Sequence, residues 1–324
     1  MSANTLISGA IKKRRQKKSS SIGTDVGSQL QLHAMLLPGT LLILLFSIVP
    51  LFGILIAFND FRPIMGWRGI FTADFNNFRN FTQLVRSAQF WPMIRNTVGI
   101  NILGSLISLP TTIIFALLLN EVLKKKFRSF VQTITIMPHF ISWAIYGGLV
   151  VTMLSMDGGL INVILMALRI LPEPIPFLGR GEYFWLIAVL SGLLKDLGWG
   201  AIIYLAAIAG VDPTLYEVAV IDGAKRHHKM LYVTIPCILP TLMIMIIFSI
   251  AGMLGNNFTQ IYVLQNPLNL SHSQVIDTYV FQVGLQRFQF GIATAASLSK
   301  SVIALVLLTA ANFASKKLTG SGLF

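Results

Sequence analysis

Six stretches of mostly apolar residues, at 36–58, 93–120, 129–153, 183–210, 236–262 and 296–315, leave this chain few folds to choose from. Each reaches the roughly 20 residues that cross the hydrocarbon of a bilayer as a helix. Inside lipid no water reaches the backbone N–H and C=O groups, so a spanning segment must pair them within itself, as a helix does. Composition agrees. Of the 324 residues 54% are hydrophobic and only 11% charged, against the roughly 25% charged residues typical of a soluble domain. The expectation is an all-α membrane protein with six transmembrane helices; a secreted domain, a disordered chain and an ordinary soluble enzyme are excluded. Pro50, Pro110, Pro138 and Pro240 lie in or beside the spans and predict kinks, which neighbouring helices tolerate.

The net charge of +13 resembles the footprint of nucleic-acid binding, but its placement argues for topology instead. Six basic residues (Lys12, Lys13, Arg14, Arg15, Lys17, Lys18) precede the first span, and Lys124, Lys125, Lys126 and Arg128 lie between spans two and three. Lys225, Arg226 and Lys229 lie between spans four and five, and Lys316 and Lys317 follow the sixth. The connections on the opposite side carry fewer, and acidic residues nearly balance them. The positive-inside rule then places both termini in the cytoplasm, as an even number of spans requires. Three parts follow: a basic cytoplasmic tail at 1–35 able to lie on anionic lipid, a six-helix domain at 36–315, and a cytoplasmic tail at 316–324. Within the domain, 59–92 reads as an aromatic, Asn-rich cap outside the membrane, and Leu171–Pro176 breaks any helix and marks a second outer excursion. The tail lacks aromatics interleaved with its charges, so no nucleic-acid partner is expected.

No catalytic machinery is visible in the sequence. There is no G-x-x-x-x-G-K-[ST] loop to cradle a nucleotide, no H-E-x-x-H, and no Cys/His cluster with metal spacing. Cys237 is the single cysteine, so no internal disulfide forms. His227 and His228 lack carboxylates at ligand spacing and read as surface residues. An intramembrane enzyme would need converging titratable groups within the spans, where only Lys195, Asp196 and Lys300 occur. Neither a cofactor nor a metal is expected in this chain.

The densest motif lies at 211–235, between spans four and five. Asp212 is a good helix N-cap and Pro213 a good first helical residue. Leu215, Val218, Ala219 and Ile221 predict a short helix with an apolar face, and Gly223 ends it because glycine accepts left-handed backbone without steric cost. A second short helix is expected from Ala224 to about Tyr232, leading into Pro236. A stiff helix of this kind, with apolar residues exposed, suits a groove on a partner.

Glu217-Val218-Ala219, Asp222-Gly223-Ala224 and Ile235-Pro236 together resemble the EAA loop of permease subunits of binding-protein-dependent ABC importers, with Val218 in place of the family's middle alanine. Pro138–Trp143, Asp157–Asn162, Ile203–Ala207, Asp277–Val280 and Asn312 extend the resemblance to the subfamily that imports complex oligosaccharides and polysaccharide fragments. In length and overall likeness the chain is similar to the larger permease subunits of alginate importers. The resemblance implies a type I ABC importer permease fold in a bacterial inner membrane, and a heterodimer with a second permease. It also implies two ATPase subunits that bind ATP and Mg, and an extracytoplasmic solute-binding protein that delivers alginate, its oligosaccharides or a neutral complex oligosaccharide. Glu217, Ala219, Asp222, Gly223 and Pro236 would form the coupling loop.

A sugar path needs hydroxyl-binding polar groups and flat aromatic faces. The candidates on or beside the spans are Asn96, Asn101, Trp143, Asn256, Asn257, Gln260 and Tyr279. Lys195, Arg287 and Lys300 would suit an anionic sugar. Lys195 and Asp196 are costly within a span and require partners of their own or water.

Overall fold

The computed structural model describes residues 26–319 other than Met253 and Asn256. The basic residues of the first tail fall outside them. The regular structure of the described residues is helical, apart from one isolated bridge pairing Asn59 with Phe75, and turns and loops connect the helices. Among the described residues five helices are long and apolar enough to cross a bilayer, or six crossings if a bent pair counts as one span.

The chain divides into two compact units, with the boundary in sequence between Leu55 and Ile56. α1 (Val26–Ile43) continues through a π turn at Leu44–Ile48 into a 3-10 helix at Val49–Ala57, whose last two residues belong to the second unit. The helix therefore begins ten residues before the expected 36. Gln29, Gln31 and His33 weaken the hydropathy without breaking the helix, and His33 Nδ1 lies 2.7 Å from the Gln29 carbonyl one turn back.

The second unit comprises α2 (Arg79–Arg86), α3 (Phe90–Asn120), α4 (Lys125–Ile136), α5 (Trp143–Met153), α6 (Leu160–Ala167) and α7 (Phe184–Ala209). It continues with α8 (Pro213–Ile221), α9 (Ile235–Ala251), α10 (Phe258–Leu264), α11 (Ile276–Phe281) and α12 (Phe290–Thr319). Its spine is the pair α3 and α7. Ala116, Leu117 and Leu119 of α3 meet Ala201, Tyr204, Leu205 and Ile208 of α7, with Ile238 and Leu242 of α9 closing the cluster. Farther along the same pair, Ile100, Phe184, Ala188 and Val189 pack with Ile261, Leu264 and Val275. Small residues let backbones approach closely, as they commonly do where helices pack in lipid. A Cβ on Gly198 would lie 2.4 Å from the Thr135 carbonyl carbon and oxygen, so α4 and α7 touch backbone to backbone.

Three sequence expectations are corrected. Span three, expected as one span at 129–153 kinked at Pro138, is two helices bent by 104°: α4 runs through a 3-10 turn at Met137–Phe140, and α5 starts afresh at Trp143. Pro138 removes a backbone donor at the break, and Ser142 caps α5 by accepting from the Ile145 N–H. Span five, expected at 236–262, ends at Ala251. Gly252 and Gly255 stop the helix, and Asn257 starts α10 by accepting from the Gln260 N–H at 3.1 Å. No separate helix spans 224–232. Arg226–Lys229 passes through a π turn at Met230–Thr234 straight into α9, with Pro236 tolerated at the start of the regular helix. Pro110 and Pro240 lie inside helices that continue past them.

Buried asparagines hold the loops. Asn96 is fully buried and donates to the Ser271 and Gln274 carbonyls at 3.1 and 3.0 Å. Asn162 donates to Ser155 and Ile175 and accepts from the Ile175 N–H, clamping the proline-rich segment. Asn269 ties Leu178 to Leu264, and Asn80 reaches the Ala57 carbonyl at 3.0 Å. Each carboxamide supplies two donors and an acceptor, which suits a loop whose backbone has no ladder partner.

Candidate functional site

The loop between α7 and α9 forms the helix expected of it. The Asp212 carboxylate accepts from the Thr214 N–H at 2.9 Å, and Pro213 occupies the first turn. That backbone hydrogen bond holds the Asp212 carboxyl below its ordinary range. At the other end Gly223 has φ +74, Ala224 N–H donates to Ala219 O at 2.9 Å, and Gly223 N–H donates to Val220 O at 3.0 Å. These two bonds make a Schellman cap. Between the caps Leu215, Val218 and Val220 are exposed and Ile221 is 84% exposed, so the apolar residues are not confined to one face. Glu217 and Asp222 are exposed, Ala219 is half-buried, and among the described residues neither acid forms an ion pair. One side chain ties α8 to the start of α9. The Tyr216 hydroxyl lies 3.0 Å from Thr234 Oγ1, and Thr234 is buried at the end of the π turn.

A cavity of about 360 Å³ opens among α3, α7, the end of α9 and α10. Asn101, Ser105, Ser108 and Thr112 line it from α3, and Gly192, Asp196 and Gly200 from α7. Ser249, Asn257 and Gln260 complete the polar wall. The Ser105 and Ser249 hydroxyls are 2.7 Å apart, and Gln260 Nε2 donates to the Ala188 carbonyl at 2.6 Å and to Ser191 Oγ at 3.2 Å.

Three of the residues predicted for a path, Asn101, Asn257 and Gln260, are thus brought together. Asn256 lies outside the described residues. The others stand elsewhere. Asn96 is engaged with loop carbonyls, and Tyr279 is buried in a cluster with Leu84, Met93 and Ile276. Lys300 Nζ pairs with Asp277 at 2.6 Å, and Arg287 is exposed after a π turn. Lys195 is 4% exposed and donates to the Pro138, His139 and Ile141 carbonyls at 2.9, 2.7 and 2.7 Å. Its ammonium therefore caps the carboxyl end of the first half of the broken span. Trp143 and Tyr146 flank it, their ring centres 5.6 and 5.8 Å away. Asp196 turns the other way, into the cavity, and its Oδ1 lies 2.8 Å from His139 Nδ1.

The sequence reading missed Ser105, Ser108, Thr112 and Ser249, although the signal was present. Residues 101, 105, 108 and 112 recur at helical spacing and draw one polar stripe along an otherwise apolar span. Residues 188, 192, 196 and 200, each four apart, draw the facing ridge on α7. Among the described residues no group of His, Cys, Asp and Glu is arranged to hold a metal ion.

Comparison with known proteins places this architecture. The Bacillus subtilis protein LplB is 36% identical over 294 residues, 90% of this chain and 91% of LplB. YteP of the same organism, a polygalacturonan/rhamnogalacturonan transport system permease protein, is 38% identical over 296 residues and 91% of each chain. A chain in the crystal structure of a bacterial ABC transporter that imports the acidic polysaccharide alginate superposes with a TM-score of 0.82 at 36% identity, covering 92% of this chain and 99% of the other. A second structure of an alginate transporter, in complex with a periplasmic protein bound to an alginate pentasaccharide, matches equally well. The profile of the binding-protein-dependent transport system inner membrane component matches residues 108–320. With its broken third span, capped 213–221 helix and polar intramembrane cavity, the chain belongs to that family and is a sugar ABC importer permease of the type I fold.

Proposed function

We propose that this protein forms, with a second and different permease, the translocation path of an ATP-driven importer for oligosaccharides from complex polysaccharides. The capped, exposed helix Pro213–Ile221 carries the reading. A helix of nine residues is too short to persist in water by propensity alone. Here it is fixed at both ends, tied to α9 through Tyr216, and left with its apolar side chains uncovered, as a lever that docks in another subunit would be. One of two ATPase subunits, which bind ATP and Mg, receives it in a groove. Their closure moves the helix, and α9 transmits that movement to the cavity. ATP hydrolysis takes place in those subunits and not in this chain. Both termini and this helix face the cytoplasm. On the opposite face a solute-binding protein hands over the sugar, and the two permeases expose the site alternately to either side.

The cavity supports a sugar as cargo. Hydroxyl and carboxamide groups can each donate or accept toward a polyol, and the glycines between them admit a ring close to the backbone. The relatives' names (polygalacturonan/rhamnogalacturonan, diacetylchitobiose, lactose, and alginate for the structural neighbours) support the class rather than one member. Alginate, the cargo expected from the sequence, belongs in any test panel as the acidic member. The decisive experiment is affinity purification of the tagged permease from its native membrane. A second permease and an ATPase should accompany it, and Gly223→Asp should release the ATPase while keeping the permease pair. A chain that purifies alone, or a variant that retains its ATPase and full uptake, refutes the reading.

A further inference from the structure

The charge on the cavity wall narrows the cargo of the transporter proposed above, and the inference rests on that reading. Asp196 is the one charged residue among the described residues that line the cavity. The neighbouring cation, Lys195, points away and its three protons are taken by backbone carbonyls. Asp196 is also held in place. Oδ1 meets His139 Nδ1 at 2.8 Å, and the His139 ring stacks flat on Trp199, centres 4.5 Å apart and planes 2° apart. The side chain of Asp196 nevertheless remains 53% exposed, so an oriented carboxylate with free lone pairs faces the space.

A carboxylate so placed accepts hydrogen bonds from two hydroxyls, and adjacent hydroxyls on a pyranose ring present that pair. A uronate at the same position brings a second carboxylate beside Asp196, where no cation stands among the described residues that line the cavity, and like charges at close range repel. We propose that Asp196 is a specificity-determining residue of this permease: it accepts hydroxyls of a neutral glycosyl unit in the cavity and disfavours uronate units. His139 is its positioning residue.

A pair of probes with one skeleton tests this. β-1,4-Mannotetraose and the β-1,4-mannuronate tetramer differ only at C6, and their equilibrium binding to the complete permease–ATPase assembly in nanodiscs, without the solute-binding protein, is measured by calorimetry. The neutral tetramer is expected to bind at least tenfold more tightly. Asp196→Asn, which keeps shape and loses charge, should narrow that ratio to less than about threefold, mainly by improving mannuronate binding. Equal or tighter mannuronate binding to the wild type overturns the proposal, as does an unchanged ratio in Asp196→Asn or no binding of either tetramer. Should Asp196→Asn fail to assemble, the wild-type ratio alone decides, and Asp196→Glu must preserve it. An intact assembly with inverted preference sinks only this inference. A chain that never brings down an ATPase sinks the transporter reading beneath it.

Discussion

Replacing Lys195 by methionine removes one ammonium and nearly nothing else, since the side chains match in length. Three carbonyls, of Pro138, His139 and Ile141, lose donors at 2.7–2.9 Å. Hydrogen bonds to charged groups contribute about 1.5–3 kcal/mol each, so the gross loss is about 5–9 kcal/mol. Methionine also relieves the several kcal/mol that burying an ammonium costs. The net destabilisation is about 2–4 kcal/mol, and for a chain of this size roughly 2 °C per kcal/mol gives a fall in Tm of about 4–8 °C. Thermal unfolding in nanodiscs followed by tryptophan fluorescence measures it, with Trp143 reporting locally because its ring centre is 5.6 Å from the ammonium. An unchanged Tm would refute the claim that this cation holds the 104° bend, because the freed carbonyls would then be satisfied by something else.

Gly198→Ala should cost about 2–4 kcal/mol and separate α4 from α7, because the added methyl meets backbone of Thr135 and Ile136, which no rotamer change can clear; thermal unfolding and cross-linking between the two helices check it. Tyr216→Phe deletes one hydroxyl facing Thr234, and transport per ATP hydrolysed should fall at least twofold while basal hydrolysis persists. Thr234→Ser keeps the partner and should preserve that ratio. For Asp212 the sign follows from its depressed carboxyl. The cap is present above the unfolded-state value and is lost as pH falls through the lower folded value, so the protection of the Thr214 amide, its exchange measured against the intrinsic rate at each pH, should fall on acidification below the usual carboxylate range. Asp212→Asn should remove that pH dependence and keep the helix.

The long helices and the capped loop were legible because their causes are local. Hydropathy marks a span, and Asp212, Pro213 and Gly223 each act within a few residues of themselves. Which of the predicted kinks becomes a full break was not legible, since Pro110 and Pro240 sit in continuous helix whereas Pro138 marks a break. The difference is tertiary: only at Pro138 does a lysine 57 residues away donate to the freed carbonyls. The same distance hides the cavity. Asn96 and Gln260 are both amides on apolar segments, yet one is consumed by a loop and the other, tied to α7, lines the cavity. Ser105, Ser108 and Thr112 announce themselves only when read as a helical stripe alongside Asn101.

Asparagine is the side chain most prone to chemical ageing, losing its amide when the next residue's nitrogen attacks it. At Asn96, Asn162 and Asn269 that change would set a carboxylate's oxygens against carbonyls that now receive protons. The grip that makes the harm severe also slows its arrival. Each carboxamide is held by its hydrogen bonds, and the residues that follow, Thr97, Val163 and Leu270, are bulkier than glycine. The lifetime of this protein in its membrane is therefore set in part by how seldom these clasps let go.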